Sequence, residues 1–180
     1  MQVEWRQIRE FPNYSVSNTG FVRNDETGRI MSAPVNQHGV VIVGLMRGPK
    51  QHKRSLALIV AGAFIERPNE AFDTPIHLDG NRHNNDISNI LWRPLWFARK
   101  FNKQFEPGVR ACLGRPVEII ETGEAFENSL AAAKALGVID REIAISVMTK
   151  DYVWPLYQHF RIVGGNAWEI DTHAVENHGV

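Results

Sequence analysis

Residues 75–105 read PIHLDGNRHNNDISNILWRPLWFARKFNKQF, and this stretch decides the fold. Pro75 to Leu78 is a short β-prone run, Asp79-Gly80 is a tight-turn signal, and Ile90 to Trp92 supplies a return strand. The segment between the two strands is too polar for a core. From Pro94 onward, aromatic side chains alternate with arginine and lysine, which predicts an amphipathic helix with a basic face. The order strand, polar loop, strand, helix predicts a ββα unit.

The residues before this unit predict a small antiparallel β module and a buried helix. Turn signals that end in Gly20, Gly28 and Gly39 each precede a short β-prone run. Residues 54–65 are apolar for too long to form one ordinary strand, and Ser55 stands where a helix N-cap is expected. We therefore expect a helix there that ends before Pro68.

The residues after the ββα unit predict a hairpin and two short helices. Glu106-Pro107-Gly108 is typical of a linker, and residues 116–126 are typical of a hairpin. The first helix opens at Asn128 or Ser129 and stops at Gly137, and the second runs from Asp140, as its cap, to about Lys150. Such a pair is compatible with a helix-turn-helix, while a plain αα-hairpin is at least as common on geometry alone.

These patterns predict an α+β fold in four segments. Residues 1–50 form a small N-terminal antiparallel β module, and residues 51–107 form the central ββα unit. Residues 108–165 form a C-terminal module with a β-hairpin and a helix-turn-helix-like pair, and residues 166–180 form a frayed tail.

Composition excludes several classes of protein. With 180 residues, 43% of them hydrophobic and 22% charged, the chain is typical of ordinary globular proteins. The longest apolar run, Leu56 to Phe64, is about half the length of a membrane span, so we expect no membrane partner. The first residues show no secretory signal, and the single Cys112 allows neither a disulfide framework nor a thiolate zinc site. A cytoplasmic location is the expectation.

The net charge of zero conceals an asymmetry along the chain. Residues 1–110 hold 15 Lys and Arg against 10 Asp and Glu, a balance of +5, and residues 111–180 hold 5 against 10, a balance of −5. The positive charge concentrates in residues 47–54 and 93–115. Such clusters can neutralise nucleic-acid phosphates, although either stretch alone is also typical of a solvated helix face.

Three stretches together resemble the HNH homing endonucleases of phages and mobile introns. The run from Glu4 to Arg23 resembles the nuclease-associated modular domain that precedes the nuclease core. Residues 116–163 are similar to the C-terminal DNA-binding repeat of these enzymes. The middle stretch resembles the nuclease core in the order and spacing of four short runs: Leu58 to Ile65, His77 to Asn81, Asn84-Asn85 and Asn89 to Trp92.

The resemblance implies a hydrolase that nicks or cuts double-stranded DNA at a directed site by metal-assisted phosphodiester hydrolysis. His77 matches the family's general base. A divalent ion, Mg²⁺ or Mn²⁺, is implied if the chain is active, and no cofactor otherwise. Asp79, His83 and Asn102 are candidate ligands for that ion. A phage-encoded copy would act in the host cytoplasm, and the sequence does not indicate an oligomeric state.

Three positions depart from the family's pattern. Ile76 stands where the family has an Asp or Asn ligand, Ala98 where it has an Asn or His, and Ala57 where it has a histidine. None of these side chains can donate an electron pair to a cation. Whether the chain is an enzyme therefore stays open. The alternatives are an inactive DNA-binding or regulatory protein with a degenerate active site, and a protein-interaction module.

Charge and resemblance together predict the DNA-binding residues. Arg141 and Ser146 are expected on the exposed side of the second C-terminal helix. The aromatic residues Trp92, Trp96, Phe97 and Phe101 are expected in the core because of their helical and strand spacing. The full set of candidate DNA contacts is Arg47, Lys50, Lys53, Arg54, Arg82, Arg99, Lys100, Lys103, Arg141, Ser146 and Lys150.

Overall fold

The computed structural model describes residues 2–164 and divides the chain into two compact units, Met1–Ala98 and a second unit that begins at Arg99. The described residues form small antiparallel sheets and four α-helices, so the predicted α+β class is confirmed. The four predicted segments stay a prediction. The predicted tail lies outside the described residues.

The first unit begins with a three-stranded antiparallel meander. Its strands are β1 (Trp5–Ile8), β2 (Phe11–Ser17) and β3 (Val22–Asn24), with β2 in the centre. Gly20 turns the chain between β2 and β3 with a φ of +82°, and a Cβ there would lie 3.0 Å from Asn85 Cβ. A glycine is required because this turn packs directly against the ββα loop.

A basic hairpin follows the meander. β4 (Ile42–Arg47) pairs antiparallel with β5 (Lys50–Ser55), and Arg47 lies opposite Lys50. The β-prone run after Gly39 predicted a shorter strand, and a solvated helix face was one of the two interpretations of residues 47–54; the structure has a strand there. The β5 sequence KQHKRS shows no alternation of apolar and polar residues. Main-chain pairing with β4, whose Val43 and Leu45 are fully buried, holds this strand in place.

The ββα unit has the predicted order. Helix α1 (Leu56–Phe64) precedes β6 (Thr74–His77) and β7 (Ile90–Arg93), which pair antiparallel with His77 opposite Ile90, and α2 (Leu95–Lys103) follows. Ser55 is the N-cap of α1, as predicted, although its side chain makes no capping hydrogen bond. One expectation is corrected here: Trp96 is 55% exposed because it lies on the solvent side of α2. Trp92, Phe97 and Phe101 are buried, as predicted.

The second unit packs two helices against a small sheet. β8 (Val117–Ile119) lies between β9 (Ala125–Phe126) and an unexpected strand, β10 (Phe160–Ile162). Helices α3 (Ser129–Leu136) and α4 (Asp140–Thr149) are joined by residues 137–139.

Both predicted ends of α3 are confirmed, and the predicted cap of α4 is wrong. The Asn128 side chain accepts a hydrogen bond from Ala131 N, and Gly137 ends the helix in the left-handed region. At α4 the N-cap is Ile139, and Asp140 instead accepts a hydrogen bond from Cys112 N at 2.8 Å. Of the helices described, none has the length and apolar character needed to cross a bilayer.

Candidate functional site

The loop between β6 and β7 is held by its own side chains. Asn89 Nδ2 donates to Asp79 Oδ1 and to Asn84 O, each at 2.9 Å, and Asn89 Oδ1 accepts from Asp79 N at 3.0 Å. Asn84 Nδ2 donates to Asp79 Oδ2 at 2.8 Å. These bonds satisfy backbone groups that a tight loop otherwise leaves unpaired, so the amides determine the loop's shape.

His77 ends β6 directly beside this loop and is only 9% exposed. Its Nε2 lies 3.2 Å from Asn85 Oδ1. Asn85 Nδ2 donates to the carbonyl oxygens of Arg82 and His83, which orients Asn85 Oδ1 toward the ring as an acceptor. His77 Nε2 therefore carries the proton, and the lone pair of the neutral ring is on Nδ1.

The neutral form of His77 is favoured at neutral pH. Burial lowers the pKa of His77 from its ordinary 6.5, and this outweighs the opposing effects of the Asn85 hydrogen bond and the Asp79 charge. The nearby charges of Arg82 and His83 lower it further. A neutral imidazole with a lone pair on Nδ1 can accept a proton from water.

Aliphatic side chains occupy the three positions where the family resemblance implies polar groups. Ile76 precedes His77 in β6, Ala57 lies in α1 and Ala98 lies in α2, and each is at most 5% exposed. Divalent cations such as Mg²⁺ require oxygen or nitrogen ligands. The side chains at these three positions do not fit such an ion.

The three predicted metal ligands, Asp79, His83 and Asn102, lie in different environments. Both oxygens of Asp79 accept hydrogen bonds within the loop, from Asn81 N, Asn84 and Asn89. Burial would raise the pKa of Asp79, but these hydrogen bonds outweigh burial and lower it. His83 is exposed, and Asn102 is half-buried on α2. Within residues 2–164 no three His, Cys, Asp or Glu side chains group around a possible metal position. The set Asp79, His83 and Asn102 stays a prediction.

Comparison with known proteins agrees with this fold and loop. Residues 4–46 match the NUMOD4 motif. A DNA endonuclease of Bacillus phage SP01, I-HmuI, is 32% identical over 91 residues, which are 50% of this chain and 52% of that protein. An uncharacterized HNH endonuclease of Acanthamoeba polyphaga mimivirus, L245, is 25% identical over 175 residues, which are 95% of this chain and 49% of that protein. The chain is related to the HNH homing endonucleases. It spans about half the length of these two curated relatives.

The fold matches a solved member of the HNH homing endonucleases. The structure titled "DNA binding and cleavage by the HNH homing endonuclease I-HmuI" aligns with a TM-score of 0.52 and 22% identity. The alignment covers 91% of this chain and 99% of that one. The predicted resemblance to the HNH homing endonucleases is confirmed, and the likeness between the structures concerns the fold.

The basic hairpin β4–β5 holds four of the predicted DNA contacts. Arg47 and Lys50 are exposed and face each other at the tip. Lys53 lies on the opposite face of the ribbon, because side chains alternate along a strand. Arg54 lies 3.3 Å from Glu10 in an ion pair and stacks over the Phe11 ring. Arg47, Lys50 and Lys53 are therefore better placed than Arg54 to meet a phosphate.

The other predicted contacts lie on helices and in the ββα loop. Arg99, Lys100 and Lys103 are exposed along α2, and Arg141 is exposed in the first turn of α4. Arg82 is exposed and donates to His38 O at 3.2 Å.

One predicted DNA contact on α4, Ser146, is wrong. Ser146 is 2% exposed, and its hydroxyl donates to Asp151 O, so it does not share an exposed side with Lys150. Lys150 is exposed just past the end of α4.

Neither the β4–β5 hairpin nor the hydrogen-bond partner of His77 was predicted from the sequence. The dipeptide Gly48-Pro49 is a turn signal that would have indicated the hairpin. The resemblance included Asn85 but assigned it no partner. Its contact with His77 has no sequence signal, because it depends on how eight residues of loop return to the strand.

Proposed function

We propose that this chain binds double-stranded DNA through an HNH scaffold and does not cut it. The observation that carries the proposal is that buried aliphatic side chains, Ile76, Ala57 and Ala98, stand at the three positions where the family resemblance implies polar groups, while His77 is retained. A divalent ion brought there would lose water ligands without gaining protein ligands, which is strongly unfavourable.

His77 alone supplies only part of the chemistry of hydrolysis. A neutral Nδ1 can take a proton from water, but the scissile phosphate also needs a cation that stabilises the developing charge and the leaving oxygen. In the proposed function His77 is a structural remnant that donates to Asn85 and holds the end of β6 against the loop.

Two basic surfaces support the DNA partner. The two-stranded β4–β5 hairpin has the dimensions that a DNA major groove admits, and its tip carries Arg47 and Lys50. Helix α2 carries Arg99, Lys100 and Lys103 on its exposed side. These cations would contribute salt-dependent phosphate contacts. The proposed compartment is the cytoplasm, of the host where the chain is phage-encoded.

Selection from a random duplex library in EDTA, followed by salt titration of the selected site, tests the binding. Arg47→Ala with Lys50→Ala is expected to reduce the slope of log affinity against log salt by about 0.9 per lost phosphate contact. The matched control is Arg9→Ala with Arg29→Ala, two exposed arginines of the first unit outside the hairpin. An equal loss in both double variants contradicts a role for the hairpin. No duplex binding even at low salt would favour a protein-interaction module.

Metal-assisted nicking is a second candidate, favoured by the neutral His77 ring with its lone pair on Nδ1. It requires that Asp79, His83 and Asn102 rearrange into a ligand set. In that case His77→Ala removes metal-dependent nicks and leaves duplex affinity nearly intact. His38→Ala, at an exposed loop histidine, serves as the control and leaves nicking unchanged.

A further inference from the structure

The second unit contains a cavity of about 660 Å³, and two of its lining residues, Lys103 and Arg141, are also predicted DNA contacts. It lies between α4, the end of α2 and the segment of residues 108–113. Its size falls in the range of small-ligand pockets. Its apolar wall is formed by Val109, Leu113, Ile139, Ala144, Ile145 and Met148.

One face of α4 forms much of this wall. Arg141, Ala144, Ile145 and Met148 line the cavity at the spacing i, i+3, i+4 and i+7, which places them on one side of the helix. Ile143 and Val147, on another side of the helix, belong to the core of the unit. The cavity-facing side of α4 is therefore a flat apolar strip that ends in an arginine at its N-terminal turn.

The rim of the cavity is positively charged. Lys103, Arg110 and Arg141 line it, all three are exposed, and none forms an ion pair with an acidic side chain of the described residues. The first turn of α4 adds the partial positive charge of a helix N-terminus. An anionic group at this rim would meet three cations and a helix end.

The wall also holds a buried acceptor without a donor. Asp140 is 5% exposed, and its Oδ2 accepts from Cys112 N. Its Oδ1 has no hydrogen-bond partner within residues 2–164. Burial, and then the Asp140 charge, raises the pKa of Cys112 to about 12, so the thiol adds no second negative charge.

We propose that this cavity binds a nucleotide. The phosphate would meet Lys103, Arg110 and Arg141, and the flat base would lie along the apolar strip of α4. Two sources offer this chemistry, a nucleotide unpaired from bound DNA and a free nucleotide. The first rests on the proposed function, and the second does not.

The test is a titration of the full chain with each deoxynucleoside 5′-monophosphate, followed by amide chemical shifts. Saturable shifts are expected at Arg110, Arg141 and Met148, with weaker binding of inorganic phosphate and of the unphosphorylated nucleosides. Arg110→Ala is expected to weaken mononucleotide binding about tenfold, the usual effect of losing a charge-assisted hydrogen bond. The control Arg115→Ala, an exposed arginine of the same unit outside the cavity, is expected to change it less than about twofold.

A second variant and a second probe complete the test. Met148→Trp places a larger side chain in the cavity and is expected to abolish mononucleotide binding while the circular dichroism spectrum is retained. A rise in 2-aminopurine fluorescence in the selected duplex identifies DNA as the source, and mononucleotide binding without that rise identifies a free nucleotide. Absence of both signals in the unaltered chain overturns the proposal, as does an equal effect of Arg110→Ala and Arg115→Ala. The mononucleotide titration contains no duplex, so its failure leaves the proposed DNA binding untouched.

Discussion

The β6–β7 loop and positions 57, 76 and 98 differ sharply within one unit. In the loop, Asp79 and Asn89 are joined by reciprocal hydrogen bonds, and Asn84 and Asn85 complete the network. The side chains at positions 57, 76 and 98 are buried hydrocarbon. The loop keeps the amides that give it its shape, whereas these three positions carry no side chain that can donate an electron pair to a cation.

This difference shows that the recognisable part of the motif is the part that folds. Asn89 contributes three hydrogen bonds to the loop, so its removal costs stability whether or not DNA is cut. Ile76 contributes apolar packing, which a metal-binding carboxylate at the same position would not supply. Predictions for both regions can therefore separate folding from chemistry.

Ile76→Ala should give the largest loss of stability. The side chain is almost fully buried in β6, and truncation of such an isoleucine lowers the free energy of unfolding by about 3–4 kcal/mol. Urea denaturation measures the change, and Ile30→Ala, at an exposed isoleucine of the same unit, is the control. A loss below about 1 kcal/mol would mean that position 76 is not a packing position.

Asn89→Ala should cost somewhat less, about 2–3 kcal/mol, because it removes three partly buried hydrogen bonds that hold the loop. Ser88→Ala is the neighbouring control, since Ser88 is exposed and its hydroxyl donates to Asp86. Urea denaturation measures the free energy of unfolding of both variants. Comparable losses would contradict the conclusion that Asn89 holds the loop in its folded shape.

The smallest effect is expected from the titration of His77. Its pKa is lower in the folded chain than the ordinary 6.5, so the unfolded chain binds a proton first as the pH falls. The stabilisation is complete above pH 6.5 and is lost as the pH falls through the folded-state pKa. Thermal unfolding between pH 7 and pH 5 measures it. His77→Gln should flatten this part of the profile, and an unchanged profile in that variant would contradict the role of His77.

Much of the fold could be predicted from local signals. The turn at Asp79-Gly80, the cap at Asn128 and the stop at Gly137 act within a few residues, so the sequence indicates them directly. Strand β10 could not be predicted, because it forms only when residues 160–162 meet β8 across about 40 residues of chain. Strand β5 could not be predicted either, because its charged residues show no strand pattern of their own.

The candidate site was predictable in position and less so in detail. His77 and the asparagine loop follow from motif spacing, but the hydrogen-bond partners of Asp79 depend on three-dimensional placement. Ser146 and Trp96 were assigned to the wrong environment because helical spacing shows which residues share a face and not which face is covered.

The measurement that tests the central claim most directly is nick mapping at nucleotide resolution on the selected duplex. The unaltered chain is incubated with Mg²⁺, with Mn²⁺ and with EDTA, and duplex binding is measured in the same samples. The account predicts binding in all three conditions and no nicks in any of them. Nicks that appear with metal, vanish with EDTA and are lost in His77→Ala would contradict it, because they require a ligand set beside His77 despite Ile76, Ala57 and Ala98.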